Sequence, residues 1–144
     1  MLYAIHDVDT GRITQANKVF VGDDELKAYE DLLGELGQTY VKANVAGLLP
    51  PELWYVAANE LHERPVMQAA VQAATIRAGT DAVITNIPNG ASIDISAAGA
   101  VIYSIAALDG DELQFSMPVP CKYRAVIRLW PYQDRAIDIE AVAA

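Results

Sequence analysis

Histidine and cysteine are the side chains best suited to acid–base, nucleophilic and metal chemistry, and this chain has few of them. It contains two histidines and one cysteine among 144 residues. His6 stands beside Asp7 and His62 beside Glu63, so each has a carboxylate that could orient the imidazole ring. Both histidines fall in stretches predicted as strands, and we interpret them as partly exposed strand residues. Cys121 opens a predicted strand with no helix N-terminus to activate its thiol, which favours a structural role.

Two groups of acidic residues could be read as metal sites, and the common catalytic motifs are absent from the sequence. Asp109-Gly110-Asp111-Glu112 could offer oxygens to calcium, but it lacks the spacing of a calcium loop, and Asp-Gly is ordinary turn chemistry. Asp23-Asp24-Glu25 is typical of a helix start. There is no phosphate-binding glycine-rich loop after a strand, no Gly-x-Ser-x-Gly and no His-Glu-x-x-His. The sequence therefore predicts a protein that is not an enzyme, with no catalytic, cofactor-binding or metal-binding residues and no cofactor.

Aromatic and apolar loop residues are better candidates for a functional surface. One aromatic pair follows the double proline at residues 50–51, and another flanks Pro131 between the last two predicted strands. Aromatic faces can stack on sugars or anchor a protein interface. The alternative, that each tryptophan packs into the core, stays open. Two leucines precede the double proline and have little local reason to be apolar unless something covers them. The candidate interface residues are Leu48, Leu49, Trp54, Tyr55, Trp130 and Tyr132.

Composition predicts a folded acidic protein and argues against two classes of partner. The chain is 53% hydrophobic and 20% charged, so a packed core is possible and disorder is not expected. Ten basic residues are scattered among nineteen acidic ones, giving a net charge of −9. This balance disfavours binding to nucleic acid or to an anionic membrane surface. The single cysteine, the absence of a long apolar run and an N-terminus unlike a signal peptide lead us to expect synthesis in a reducing cytoplasm.

Hydrophobic periodicity predicts a mixed N-terminal part. Alternation over residues 2–8 and 13–21, around Asp9-Thr10-Gly11, predicts a β-hairpin. Residues 23–36 carry apolar side chains at helical spacing, with Asp23 as the expected N-cap and Gly34 or Gly37 as the end. A further strand is predicted at 39–45 and a second hairpin at 53–57 and 60–64. The helical apolar stripe consists of Leu26, Tyr29, Leu32, Leu33 and Leu36.

The C-terminal part reads as a series of short strands. Asn89-Gly90 and Asp109-Gly110 each lie between two of these runs and predict tight hairpins with positive φ at the glycine. Many short strands with frequent turns predict a small antiparallel sandwich. Residues 66–78 fit either a helix or an extended segment; we favour the extended one, and the alternative stays open. The predicted strands are 82–87, 91–96, 101–107, 112–117, 122–130 and 136–142.

The fold class expected is thus mainly β, within the α+β group. The predicted domains are residues 1–66, a mixed β domain with one helix, and residues 67–144, a β-sandwich. The N-terminal domain would consist of β-hairpins around the helix.

Three segments resemble small tail-region proteins of tailed phages. Residues 1–13, a strand followed by a Thr-Gly turn and a second strand, are similar to the start of many of these proteins. Residues 53–56 and 61–67 resemble their short hairpin with an Arg-Pro exit. Residues 84–95 look like their immunoglobulin-like (Ig-like) C-terminal module, in which a turn with Pro, Gly and Ala joins two strands. The helix at 23–36 departs from that pattern.

The resemblance implies an accessory or structural protein of a tailed-phage or prophage virion, at the tail or its fibres. Such a protein would be made in the bacterial host cytoplasm and then reside in the virion. It would act through assembly with other tail or virion proteins, as a homo-oligomer, with no nucleic-acid or membrane partner. The alternative is a module that binds carbohydrate on the host surface through Trp54, Tyr55, Trp130 or Tyr132.

Overall fold

The chain folds into two compact units, seen in a computed structural model that describes residues 1–19, 22–45 and 50–144. The N-terminal unit is Met1–Arg64 and the C-terminal unit is Pro65–Ala144. The sequence had placed the domain boundary between residues 66 and 67. The described residues form thirteen strands and one α-helix, so the predicted mainly-β class is confirmed.

The N-terminal unit consists of a three-stranded sheet, a helix and a separate hairpin. The elements are β1 Leu2–His6, β2 Ile13–Lys18, α1 Asp23–Glu35, β3 Tyr40–Ala43, β4 Trp54–Ala57 and β5 Glu60–Glu63. Strand β1 is central, pairing antiparallel with β2 on one side and β3 on the other. Strands β4 and β5 form the second hairpin, and its turn residues Ala58 and Asn59 both have positive φ, +51° and +59°. Both predicted hairpins are confirmed.

The helix starts and ends through backbone geometry. Gly22, and not Asp23 as predicted, is the N-cap, and no side chain caps the first turn. Asp23 is instead the first helical residue, where its negative charge suits the positive end of the helix dipole. At the other end Gly37 takes φ +69°, and Gln38 N–H donates to Leu33 O at 2.9 Å. The helix therefore ends at a glycine in the left-handed conformation. Of the two predicted ends, Gly34 and Gly37, the structure has Gly37.

The buried stripe of α1 is narrower than predicted. Leu33 is buried, and Leu26 and Tyr29 are half-buried against the same small core. Leu32 and Leu36 are 47% and 63% exposed. Their helical spacing is correct, but the three-stranded sheet covers only one side of the helix.

Tyr3 on β1 packs against the helix and forms a hydrogen bond to it. Its side chain is fully buried, and its ring lies edge-on to Tyr29 with centroids 4.9 Å apart. The Tyr3 hydroxyl donates to Glu30 Oε1 at 3.0 Å, and the same oxygen accepts from Lys42 Nζ at 2.9 Å. The Lys42 bond, followed by the Tyr3 bond, lowers the pKa of the Glu30 carboxyl. Sheet and helix are therefore linked by one hydrogen-bonded group of three side chains.

Alkaline pH should weaken the N-terminal unit through Tyr3. Burial, reinforced by the hydrogen bond to Glu30, raises the pKa of Tyr3 from 10.0 to about 12. The folded state thus favours the neutral phenol. The stabilisation is complete below about pH 10 and is lost as the pH rises from about 10 to about 12. We expect urea midpoints to fall across this window, and to fall less in Tyr3→Phe. An identical fall in that variant would contradict the assignment.

The C-terminal unit is a sandwich of two sheets around one core. The strands are β6 Ala70–Val71, β7 Thr75–Arg77, β8 Asp81–Thr85, β9 Ser92–Ala97, β10 Ala100–Ile105, β11 Leu113–Ser116, β12 Lys122–Arg128 and β13 Arg135–Val142. Strand order is β10-β9-β12-β13-β7 in the larger sheet and β11-β8-β6 in the smaller. Inward residues of both sheets, such as Ile84, Ile95 and Ile127, are fully buried in the same cluster.

Two details of this sandwich were open or wrong in the sequence prediction. Residues 66–78 are extended, containing β6 and β7, so the helical alternative is excluded. The sheets are not purely antiparallel, because β7 pairs parallel with β13. A parallel pair needs a long connection, and here strands β8 to β12 lie between the two strands in the chain.

The predicted tight hairpins at Asn89-Gly90 and Asp109-Gly110 are not hairpins. Positive φ is confirmed at Gly90 (+88°) and Gly110 (+104°). However, β8 and β9 lie in different sheets, as do β10 and β11, so both turns carry the chain across the sandwich. They meet each other, since Gly110 N–H donates to Asn89 Oδ1 at 2.8 Å. The tight hairpin of this unit joins β9 to β10 through Ala98 and Gly99, which both have positive φ.

The strand order is that of an Ig-like sandwich. In immunoglobulin lettering, strands β6, β8 and β11 of the smaller sheet correspond to A, B and E. In the larger sheet, β10, β9, β12 and β13 correspond to C′, C, F and G, and β7 corresponds to A′ beside G. Tyr123, at the start of the F-equivalent strand β12, donates its hydroxyl to Val119 O at 2.8 Å. A tyrosine at this corner, bonded to the backbone a few residues upstream, is a hallmark of the fold. Ala125 stands two residues later, where antibody domains carry a cysteine.

Candidate functional site

Of the six sequence-predicted interface residues, the structure describes four, and these belong to two different units. Leu48 and Leu49 lie outside the residues that the structure describes. Trp54 and Tyr55 belong to β4 in the N-terminal unit. Trp130 and Tyr132 belong to the connection between β12 and β13 in the C-terminal unit. The four described residues are thus two aromatic pairs, one in each unit.

Trp54 and Tyr55 are fixed by the second hairpin. A short 3₁₀ turn, Pro51–Leu53, leads into β4, and Arg64 Nη1 donates to the carbonyl of Glu52 at 2.8 Å. The Tyr55 ring packs beside His62 with centroids 5.6 Å apart. Trp54 and Tyr55 are both half-buried. Part of each of these two residues is therefore accessible to solvent.

Trp130 and Tyr132 sit in a compact turn. The Trp130–Pro131 peptide bond is cis, and Tyr132 N–H donates to Leu129 O at 2.8 Å. Both rings are half-buried, and Tyr132 also packs against the core of the sandwich. The pairing of Arg128 with Ser92 brings this turn and the 86–91 connection to the same end of the larger sheet. That end corresponds to the loop end at which variable Ig domains bind antigen.

The side chains with catalytic potential have ordinary structural surroundings. His6 Nδ1 lies 3.0 Å from the carbonyl oxygen of Asp7, and His62 Nε2 lies 3.9 Å from Glu60 Oε2. Cys121 is half-buried against the core of the C-terminal unit. Over residues 1–19, 22–45 and 50–144, no three His, Cys, Asp or Glu side chains lie close enough to hold a metal ion. Among the helices of that same part of the chain, none is long and apolar enough to span a membrane.

An exposed apolar surface on β10 was not predicted from the sequence. Three consecutive large side chains, Val101, Ile102 and Tyr103, are 60%, 54% and 50% exposed. We call these three residues the β10 patch. Within the part of the chain that the structure describes, strand β10 is the edge of the larger sheet and pairs with β9 alone. The sequence predicts a strand at residues 101–107, but the periodicity that predicts it does not show that the strand lies at an edge.

A groove runs beside the β10 patch, between the edges of the two sheets. Ile102 and Tyr103 form one wall, and Gln114, Phe115 and Ser116 of the opposite edge strand β11 form the other. Buried Ile95 closes the bottom, and the volume is about 380 Å³. The lining combines apolar side chains with the polar Gln114 and Ser116, and an open groove flanked by exposed apolar side chains can accept side chains of another molecule.

Charge is missing from both walls of this groove. No charged residue occurs between Asp94 and Asp109, the stretch that contains β10. None occurs between Glu112 and Lys122, the stretch that contains β11. Soluble proteins commonly guard an edge strand with lysine, proline or inward-pointing charge. Neither β10 nor β11 contains such a residue. This uncharged run is the sequence signal that could have identified the surface.

Comparison with known proteins gives no relative: no family model, no curated protein and no solved structure matches the chain.

Proposed function

We propose that this chain is a structural accessory protein of a tailed-phage or prophage virion, at the tail or its fibres. It acts by assembling with other virion proteins and needs no cofactor or catalytic turnover. The observation that carries the assembly part is the β10 patch, three exposed apolar side chains on an edge strand of the Ig-like unit that has no charged residue. Contiguous exposed apolar surface on a folded protein marks an interaction site.

The virion assignment draws on the resemblance of three sequence segments to small tail-region proteins. The Ig-like strand order agrees with the third of those segments, residues 84–95, because that segment carries the connection between β8 and β9. An Ig-like fold alone supports many functions, so the resemblance, and not the fold, supplies the virion assignment. Protein made in the host cytoplasm would be incorporated as the particle assembles.

Particle fractionation tests this proposal. Particles released by the strain that carries the gene would be purified by density gradient and analysed by mass spectrometry. We expect the chain to band with the particles at a fixed copy number. As a control, purified chain added to a particle-free lysate should stay at the top of the gradient. A chain found only in the unassembled fraction of a lysate that contains mature particles would overturn the proposal.

A second candidate function is binding of host-surface carbohydrate. It is favoured by one observation, the half-exposed Trp130 and Tyr132 at the loop end of the Ig-like unit, because aromatic faces stack on sugar rings. Glycan-array binding by the purified chain, abolished in Trp130→Ala, would support it. Binding that persists unchanged in this variant would exclude the loop end as the site.

A further inference from the structure

We infer that the β10 patch is the contact between two copies of this chain, which meet edge to edge across a two-fold axis. This inference rests on the proposed assembly function and names its first partner. It assigns a second copy to the surface, and other virion proteins would then bind the dimer elsewhere.

The net negative charge of the chain favours a second copy over a basic partner at the β10 patch. Each chain carries a net charge of −9, so two copies repel each other over most of their surface. Like charges placed opposite each other at an interface are costly, so two copies of this chain can meet closely only on an uncharged face. The groove-facing side of the two edge strands forms such a face, whereas on the outer side Ser104 of β10 donates to Asp94, whose charge is paired with Arg128 at 3.4 Å. Recognition of a foreign basic partner would instead use the acidic surface that the rest of the chain offers.

The local geometry favours side-chain packing over a continuous strand ladder. The register of β10 against β9 shifts between Val101 and Tyr103, which makes Ile102 the extra residue of a β-bulge. A bulge twists an edge strand and interrupts its regular hydrogen-bonding row. Extension of the sheet into a second copy is therefore hindered at the centre of the patch, whereas the three apolar side chains remain available.

The β10 patch has a shape that can bind its own copy. Val101 pairs with Ser96 on the outer face of the sheet, whereas Tyr103 pairs with buried Ile95 on the inner face. The patch thus wraps around the edge of the sandwich, with the groove directly beside it. A two-fold axis through the patch lets the apolar side chains of each copy cover the groove of the other, so that one surface serves both partners.

Sedimentation of the purified full chain tests the dimer. We expect concentration-dependent dimerisation, with a mass of twice 15.5 kDa at high concentration. A contact built on three large side chains is smaller than a permanent interface, so the dissociation constant should be roughly micromolar. Ile102→Lys buries a charge in the contact and should raise that constant roughly 30-fold or more. Val66→Lys is the matched control: Val66 is 58% exposed in the same unit, and its variant should dimerise like the wild type.

Mixing two charged variants identifies the second copy directly. Ile102→Lys and Ile102→Asp should each be monomeric alone, and their mixture should regain dimer, because a two-fold axis at the patch places opposite charges near each other. Urea unfolding of both variants in a Trp54→Phe background, followed by the fluorescence of Trp130, confirms that both are folded. A wild type that stays monomeric to roughly 100 μM, or dimers unaffected by Ile102→Lys, would overturn the inference. A monomeric chain that still bands with particles would overturn the inference alone, whereas a dimeric chain absent from particles would overturn the proposed function alone.

Discussion

Replacing Gly11 by alanine should lower the free energy of unfolding of the N-terminal unit by about 3 kcal/mol. Gly11 has φ +73°, a conformation that costs energy for any residue with a Cβ. A Cβ built there would lie 2.0 Å from the carbonyl oxygen of Val56. The obstructing atom is backbone, held close because Val56 N–H donates to Gly11 O at 2.9 Å. Alanine must therefore push apart the first turn and strand β4.

Each unit of the chain contains one tryptophan, so fluorescence can report on each separately. In a Trp130→Phe background, urea unfolding followed at Trp54 measures the N-terminal unit alone. The matched control is Gly37→Ala, because Gly37 also has positive φ (+69°) but nothing lies within 4 Å of an added Cβ. This control should lose only about 1 kcal/mol. Equal losses at the two glycines would show that the Gly11–Val56 contact adds nothing.

Replacing Tyr123 by phenylalanine should destabilise the C-terminal unit by about 1–2 kcal/mol. The Tyr123 side chain is 3% exposed, and its hydroxyl bonds the carbonyl oxygen of Val119 at 2.8 Å. Burial raises the pKa of Tyr123, as does its interaction with Cys121, so the hydroxyl remains a donor at neutral pH. Phenylalanine keeps the ring packing but leaves the carbonyl without this donor. The loss should therefore exceed that of removing a solvated hydroxyl.

Tyr103→Phe provides that comparison in the same unit. Tyr103 is 50% exposed, so removal of its hydroxyl should change the free energy of unfolding by less than about 0.5 kcal/mol. Both variants would be studied in a Trp54→Phe background, with Trp130 as the reporter and at concentrations below dimerisation. If Tyr123→Phe unfolds at the wild-type urea concentration, the corner bond is not part of what stabilises the sandwich.

Local patterns were sufficient to predict the elements of this fold. Alternation in residues such as Ile93-Asp94-Ile95-Ser96 predicts a strand because one face of each strand is buried. The helix at 23–36 was predicted to within one residue, because its apolar spacing and Gly37 are local features. Positive φ at Gly90 and Gly110 was also correct, since it depends on the turn residues themselves.

Pairing and exposure are not local, and the sequence prediction was wrong or silent there. An Asn-Gly turn fixes its own backbone but not which sheet receives the next strand, so the turn at Gly90 joins two sheets instead of two paired strands. Ile93 and Ile102 both occur in strands, yet one is buried and the other 54% exposed. The difference arises because β9 has a neighbour on both sides and β10 on one. The interface predicted from aromatic residues and from the loop leucines Leu48 and Leu49 therefore did not include the β10 patch.

Incorporation of patch variants into particles tests the central claim, that the chain functions through assembly at its uncharged edge. The strain would express wild type, Ile102→Lys or Val66→Lys as the only copy, and quantitative mass spectrometry would measure the chain in purified particles. We predict wild-type amounts for Val66→Lys and a loss of roughly 30-fold for Ile102→Lys, in line with the expected weakening of the contact. Equal incorporation of both variants, with both proteins folded, would contradict the account.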